Sequence, residues 1–293
     1  MLFDESILRK LKQLTLVAAR VRAGAIKGER RSSRRGSSVE FADYRDYTPG
    51  DDLRRLDWNV YARLERPFIK LFEEEEDLAV TILLDGSRSM DWGEGETHKF
   101  RYALRLCAGL GAISLASGDA LSISLLRDGG VAASFGPMRG EAALPRMFNL
   151  LEGLEATGRT QLNESLHEYS LTPRRSGLVI LISDLLSADH CEVGLRPLLA
   201  RGNEAVLLHL LTPDELDPAL SGDLQLVDIE TGAEQDVSLD GRLRELYQDR
   251  VQGWVRATLA ECRKHGIGYL QFSTSRPWDQ VLLLEMRRSG IVK

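Results

Sequence analysis

Three stretches of the chain end apolar or turn-forming text in oxygen donors. Leu78-Ala79-Val80-Thr81-Ile82-Leu83-Leu84 runs into Asp85-Gly86-Ser87-Arg88-Ser89, Leu178-Val179-Ile180-Leu181-Ile182 runs into Ser183-Asp184, and Ala156-Thr157-Gly158-Arg159-Thr160 lies between them. Carboxylates and hydroxyls are hard ligands. A small cation such as Mg²⁺, or Mn²⁺ in its place, wants near-octahedral oxygen coordination with few carboxylates and some retained water. A set without His or Cys disfavours zinc and copper. The candidate metal ligands are therefore Asp85, Ser87, Ser89, Thr160 and Asp184, with Thr160 preferred to Thr157 because it follows Gly158 and opens a helix. Alternate serines in an extended turn project to one side, so Ser87 and Ser89 can both ligate, while the two aspartates act directly or through bound water. Mainly neutral direct ligands leave the metal electropositive. It can then take a partner protein's carboxylate as its last ligand.

Competing chemistries fail at particular residues. An acyl-transfer serine would need Gly-x-Ser-x-Gly, whereas Gly86 adjoins Ser87 and position 89 is Ser. A phosphoryl-transfer aspartate of the dehalogenase type would want an acid where Ser87 stands. Gly93-Glu94-Gly95-Glu96-Thr97-His98-Lys99 lacks the P-loop order, and its two glutamates would repel phosphate. His98, His167, His190, His209 and His265 show neither ligand spacing nor a triad context. No catalytic residue is assigned, and a metal-dependent hydrolase using the same cation is the alternative.

Those donors need elements to hold them. Residues 78–84 read as a buried central strand, and residues 121–126, 131–135, 178–184, 205–211 and 267–272 as further strands. Helices are expected at about 97–117, 142–154, up to 170, 190–201, 241–265 and 278–288, the last placing Val281, Leu282 and Leu284 against the sheet. Residues 224–239 read as a hairpin around Glu230-Thr231-Gly232-Ala233. Strands alternating with helices imply an α/β fold with a doubly wound, mostly parallel sheet flanked by helices over residues 78–293. The donors then lie at the carboxyl edge, where open α/β sheets bind ligands.

Residues 1–77 read as an amino-terminal helical and irregular extension packing on that domain. Leu8, Leu11, Leu14, Ala18 and Val21 have helical spacing over residues 4–24. A loop at 27–38 carries Lys27, Arg30, Arg31, Arg34 and Arg35, an alternative nucleic-acid contact that lacks interleaved aromatics. Between 39 and 77, Arg45, Arg54 and Arg55 alternate with Asp43, Asp46, Asp51, Asp52 and Asp57, allowing internal ion pairs. A short helical segment is expected to end near Trp58, and Pro67–Phe72 alternates like a strand before the acidic run 73–77.

The formal net charge of −6 argues against a whole-surface attraction to nucleic acid or anionic lipid. Cys107, Cys191 and Cys262 are far apart and odd in number, so a reducing cytoplasm fits. The amino terminus has acids where a signal peptide would be basic, and no apolar run approaches the length of a membrane span.

The Asp-x-Ser-x-Ser at a strand end, the downstream Thr160 and the later Asp184 resemble the metal-ion-dependent adhesion site of von Willebrand factor type A domains. Upstream, Phe41-Ala42-Asp43-Tyr44-Arg45-Asp46-Tyr47-Thr48-Pro49-Gly50-Asp51-Asp52-Leu53-Arg54-Arg55-Leu56-Asp57-Trp58 resembles the family catalogued as domain of unknown function 58. The resemblance runs from about residue 20 to 275. It implies a type A-like fold, Mg²⁺ at the five positions, and an interaction or adaptor role beside a MoxR-type AAA+ ATPase rather than an enzymatic one. Some members carry membrane helices ahead of the signature, and no such helix is read here.

Overall fold

The computed structural model describes residues 4–18, 40–48, 51, 53, 56–73, 77–187, 191–218, 222–239 and 241–293. The basic stretch 27–38, Val21, Arg54, Arg55 and acids 74–76 lie outside the described residues. The chain divides into two units, Gly28–Asp77 and a larger one made of Met1–Lys27 with Leu78–Lys293. Helix α1 (Glu5–Leu11) thus belongs with the larger unit, and the division does not fall at residue 77 alone.

In the smaller unit, strand β1 (Glu40–Asp46) and strand β2 (Phe68–Glu73) pair antiparallel, with helix α2 (Trp58–Leu64) between them in sequence. The expected helical segment ends where α2 instead begins. The cause is Asp57, whose Oδ1 accepts the N–H groups of Asn59 and Val60 at 2.9 and 3.2 Å and so satisfies donors that a helix start leaves open. Its other oxygen accepts from the Tyr44 hydroxyl at 2.8 Å. Arg45 grips both oxygens of Asp51, at 2.9 and 2.6 Å, which fixes the turn as the alternating charges suggested.

The larger unit follows the alternation read from the sequence. In chain order it contains β3 (Ala79–Asp85), α3 (Lys99–Ala116), β4 (Ala120–Arg127), β5 (Gly130–Met138), α4 (Leu144–Glu152), α5 (Leu162–Leu171), β6 (Leu178–Ser183), α6 (Glu192–Ala200) and β7 (Glu204–Leu211). A short α7 (Pro213–Leu216), a separate hairpin of β8 (Gly222–Val227) and β9 (Glu234–Leu239), α8 (Gly241–His265) and β10 (Gly268–Ser273) follow. One six-stranded sheet has the order β10-β7-β6-β3-β4-β5, parallel throughout except for β5, which runs antiparallel at the edge.

Side-chain alternation along the strands sends apolar groups to both faces. On one face Ile82, Leu84, Ile180 and Leu208 join α3, α4 and the amino- and carboxyl-terminal segments. On the other, Leu83, Leu181 and Leu207 join α5, α6 and Cys262 of α8. Helix α3 is buried nearly all round because terminal segments cover its outer side. Its small residues permit this: a Cβ on Gly109 would come within 2.3 Å of Leu282, and one on Gly111 within 2.4 Å of Met147. All three cysteines are buried. Among the described residues no helix is long and apolar enough to cross a membrane.

Two terminal expectations need correction. Helix α1 stops at Leu11, and the chain then runs extended, pairing Thr15 and Val17 with Lys293 and Ile291 through 2.9 Å hydrogen bonds. Leu14, Leu16 and Ala18 are buried at a spacing of two, so a strand-like period displaces the helical one. At the other end, Trp278–Arg288 is interrupted by a π-helical stretch, Val281–Glu285. The wider turn shifts the phase of the side chains, burying Val281 and Leu282 but leaving Leu284 51% exposed.

Candidate metal centre

Strands β3 and β6 are neighbours, with Leu84 opposite Ile182, so Asp85 and Ser183-Asp184 emerge side by side at the carboxyl edge. After β3 the chain packs α3 on one face; after β6 it packs α6 on the other. Such a divergence opens a crevice between adjacent strands, the usual ligand position in open α/β sheets.

The polar turn after β3 is held by backbone bonds to its neighbours. Gly86 donates to Leu126 O at 2.8 Å, Thr157 N donates to Gly86 O at 2.8 Å, and Arg88 N donates to Gly158 O at 3.0 Å. A Cβ at Gly86 would lie 2.6 Å from Leu125 Cδ1, so this close approach needs glycine. Residues 88–90 form one 3₁₀ turn rather than an extended segment. The tight turn still gathers the hydroxyls. Ser87 Oγ lies 3.0 Å from Ser89 Oγ, which lies 3.3 Å from Thr160 Oγ1. Thr157 instead accepts from Arg127, which leaves Thr160 as the threonine of this cluster.

Asp85 is buried beside those hydroxyls. Its Oδ1 accepts from Ser87 N at 3.0 Å and its Oδ2 from Ser183 Oγ at 2.6 Å. Burial, together with the nearby charge of Asp184, raises its carboxyl to about 6 despite the bonds from Ser183 and Ser87.

Asp184 has a different partner. The wholly buried Lys99 ammonium donates to Asp184 Oδ2 and to Glu215 Oε1, both at 2.6 Å. Burial alone would lower the lysine's pKa, but the two carboxylates outweigh it and the net direction is upward. Asp184 Oδ1 accepts from Leu186 N at 3.1 Å across a turn in which Leu185 adopts a positive φ of 55°. His209 braces the same corner. A carbonyl can only accept, so Nε2–H donates to Asp184 O at 3.0 Å and Nδ1 accepts from Tyr269 OH at 2.6 Å. Burial pushes this imidazole down to about 4, keeping it neutral.

The five sequence-derived positions therefore meet at one edge, in unequal roles. Asp85, Ser87, Ser89 and Thr160 form a continuous chain of contacts, and Asp184 adjoins it as half of an ion pair. Among the described residues no group of three or more His, Cys, Asp or Glu side chains is arranged to hold a metal, so a cation here would depend on hydroxyls. The donor set fits a small one. Oxygens about 2.1 Å from Mg²⁺ lie about 3.0 Å from their adjacent neighbours, close to the observed hydroxyl spacings. A divalent charge would also relieve the burial penalty on Asp85.

Sequence reasoning missed four participants. Ser183 was visible as the residue before Asp184. Lys99 had a signal in its phase, since Lys99, Ala103, Leu106 and Leu110 share one buried stripe of α3. Glu215 belongs to a capping box legible as Thr212-Pro-Asp-Glu, and its second oxygen accepts from Thr212 N at 2.8 Å. Glu230 had no such signal. Its carboxylate, at the turn of the β8–β9 hairpin, accepts from Thr160 Oγ1 at 2.5 Å and from Thr160 N at 3.0 Å.

Comparison with known proteins places these residues in a family. The model of the family described as "Protein of unknown function DUF58" matches residues 43–254. The uncharacterized protein Rv1480 of Mycobacterium tuberculosis is 27% identical over 98% of this chain and 92% of its own length, and the uncharacterized protein Mb1516 of Mycobacterium bovis matches to the same extent. Among solved structures, the conserved hypothetical protein BatB from Bacteroides thetaiotaomicron overlaps 73% of this chain and 98% of its own, at 15% identity and a TM-score of 0.45. An aerotolerance-related membrane protein from Bacteroides fragilis gives the same coverage and identity with a TM-score of 0.46.

Proposed function

The chain belongs to the DUF58 family of proteins of unknown function, and from that premise we propose that it is a non-enzymatic interaction module whose metal-ion-dependent adhesion site recruits an acidic side chain of a partner protein. The fold is read as a doubly wound, von Willebrand factor type A-like sheet, supported by the apolar clusters on both of its faces. Mg²⁺ or Mn²⁺ would be held by Ser87, Ser89 and Thr160, with Asp85 and Asp184 supplying compensating charge. The observation that carries this reading is the run of three hydroxyls, 3.0 and 3.3 Å apart, against a buried carboxylate. When bound, the cation supplies a Lewis-acidic position that an incoming carboxylate can complete.

The protein's own residues prepare that position. Asp85 is immobilised by Ser87 N and Ser183, Asp184 by Lys99 and Leu186 N, so neither carboxylate must reorganise when a cation arrives. Exposed Arg88 and Arg159, in the two loops beside the hydroxyls, favour an acidic partner. Exposed Trp92 and Leu186 add apolar surface suited to protein contact. Recruitment is favoured over metal-dependent hydrolysis because Asp85, Asp184 and Glu230 all accept hydrogen bonds and none stands free as a general base. The family resemblance supplies the class of partner, a MoxR-type AAA+ ATPase.

The test is co-purification with such an ATPase in Mg²⁺ and in chelator, for wild type and Ser87→Ala. Capture that needs both the metal and Ser87 is expected; equal capture in all four conditions would remove the adhesion-site reading.

A further inference from the structure

We propose that Glu230 is an internal stand-in for the partner's carboxylate, and that the β8–β9 hairpin must swing aside before an external acid can reach the metal position. This inference rests on the adhesion-site reading, because it assigns an occupant to that same site. The two Glu230 oxygens together engage the N–H and hydroxyl of Thr160, the outermost member of the hydroxyl chain. Ser87 and Ser89 are buried whereas Thr160 is half-buried, so the cluster opens toward solvent at Thr160. A carboxylate arriving from outside would enter there, and Glu230 already does.

The element carrying Glu230 is suited to move. The hairpin is a two-stranded ladder separate from the main sheet. Most of β8 is exposed, including Leu226 at 46% and Val227 at 57%, whereas Glu230 at the turn is half-buried. A lone two-stranded ladder contributes little stability of its own. The turn is nonetheless firmly shaped, since Asp228 Oδ1 accepts from Glu230 N at 3.0 Å and from Thr231 N at 2.6 Å. A pre-formed tip on a weakly anchored arm can deliver a carboxylate and withdraw it. The Lys99 ammonium is committed to Asp184 and Glu215, so its two hydrogen-bonded carboxylates are not Glu230.

An external acid sees only the fraction of molecules whose hairpin is open, so its apparent affinity is reduced by that fraction. Removing the Glu230 charge should restore it. The probe is acetate, added to the full chain loaded with Mn²⁺, with paramagnetic relaxation of the acetate methyl protons as the readout. Glu230→Gln and Glu230→Ala are both expected to raise that relaxation by about threefold or more over wild type, with circular dichroism confirming that each remains folded. Equal relaxation in wild type and both variants, with Mn²⁺ bound in all three, would overturn the role of Glu230 while leaving the adhesion site standing. Failure of wild type itself to hold Mn²⁺ would remove both.

Discussion

Lys99 holds two carboxylates, Asp184 and Glu215, and its side chain is entirely buried with that of Asp184. Breaking a buried ion pair by removing one partner costs about 3–5 kcal/mol, because a charge is left unpaired. Lys99→Met is expected to lose that much in urea unfolding, while Lys12→Met, at an exposed pair with Glu141, should change stability by less than about 1 kcal/mol. His209 gives a pH signature. Its folded pKa of about 4 lies below the ordinary 6.5, so between those values the unfolded chain binds more protons and stability falls as pH drops. Asp85, raised from 3.8 to about 6, acts in the opposite sense over an overlapping range in metal-free protein. The difference between wild type and His209→Gln isolates the first effect: the wild type should show the steeper loss between pH 6.5 and 4. At this scale, Asp85, Ser87, Ser89 and Asp184 were legible because each ends or follows an apolar run. Lys99 was legible only as a lysine on a buried stripe, and Glu230 not at all, since partners 85 to 116 positions away for the one and 70 for the other leave no mark on local spacing.

The strands and long helices follow local rules closely, and glycine shows where those rules meet packing. Gly177, just before β6, would place a Cβ 1.9 Å from the backbone oxygen of Ala79, which no side-chain adjustment can relieve. Gly177→Ala should therefore destabilise by about 3 kcal/mol or more, or yield no folded protein. Gly253 lies inside α8 with open space around it and no positive φ. Gly253→Ala should stabilise by about 0.5–1 kcal/mol, read in the same unfolding experiment. Helix α8 was readable from sequence because its period is sustained over 25 residues. The first helix was overextended because Leu14 and Ala18 fit both a helical and an alternating pattern, and only pairing with the carboxyl-terminal segment decides between them. The π-helical stretch near the end had no sequence marker of comparable strength.

In the larger unit, residues from Ile7 to Ala18 and from Trp278 to Val292 share a core with α3, whose first residue, Lys99, reaches Asp184. Stability of the terminal segments and geometry of the site are thus connected through one helix. A ligand that binds only the folded state raises apparent stability in proportion to the logarithm of its concentration over Kd. The most direct measurement is Mn²⁺ binding by electron paramagnetic resonance, joined to thermal unfolding in Mg²⁺ and in chelator, for wild type and Ser87→Ala. Wild type is expected to bind one Mn²⁺ and to melt several degrees higher in Mg²⁺, and Ser87→Ala to lose at least about tenfold in affinity, worth about 1.4 kcal/mol, together with most of the thermal shift. Indistinguishable metal binding and melting in the two proteins would contradict the hydroxyl-based metal site.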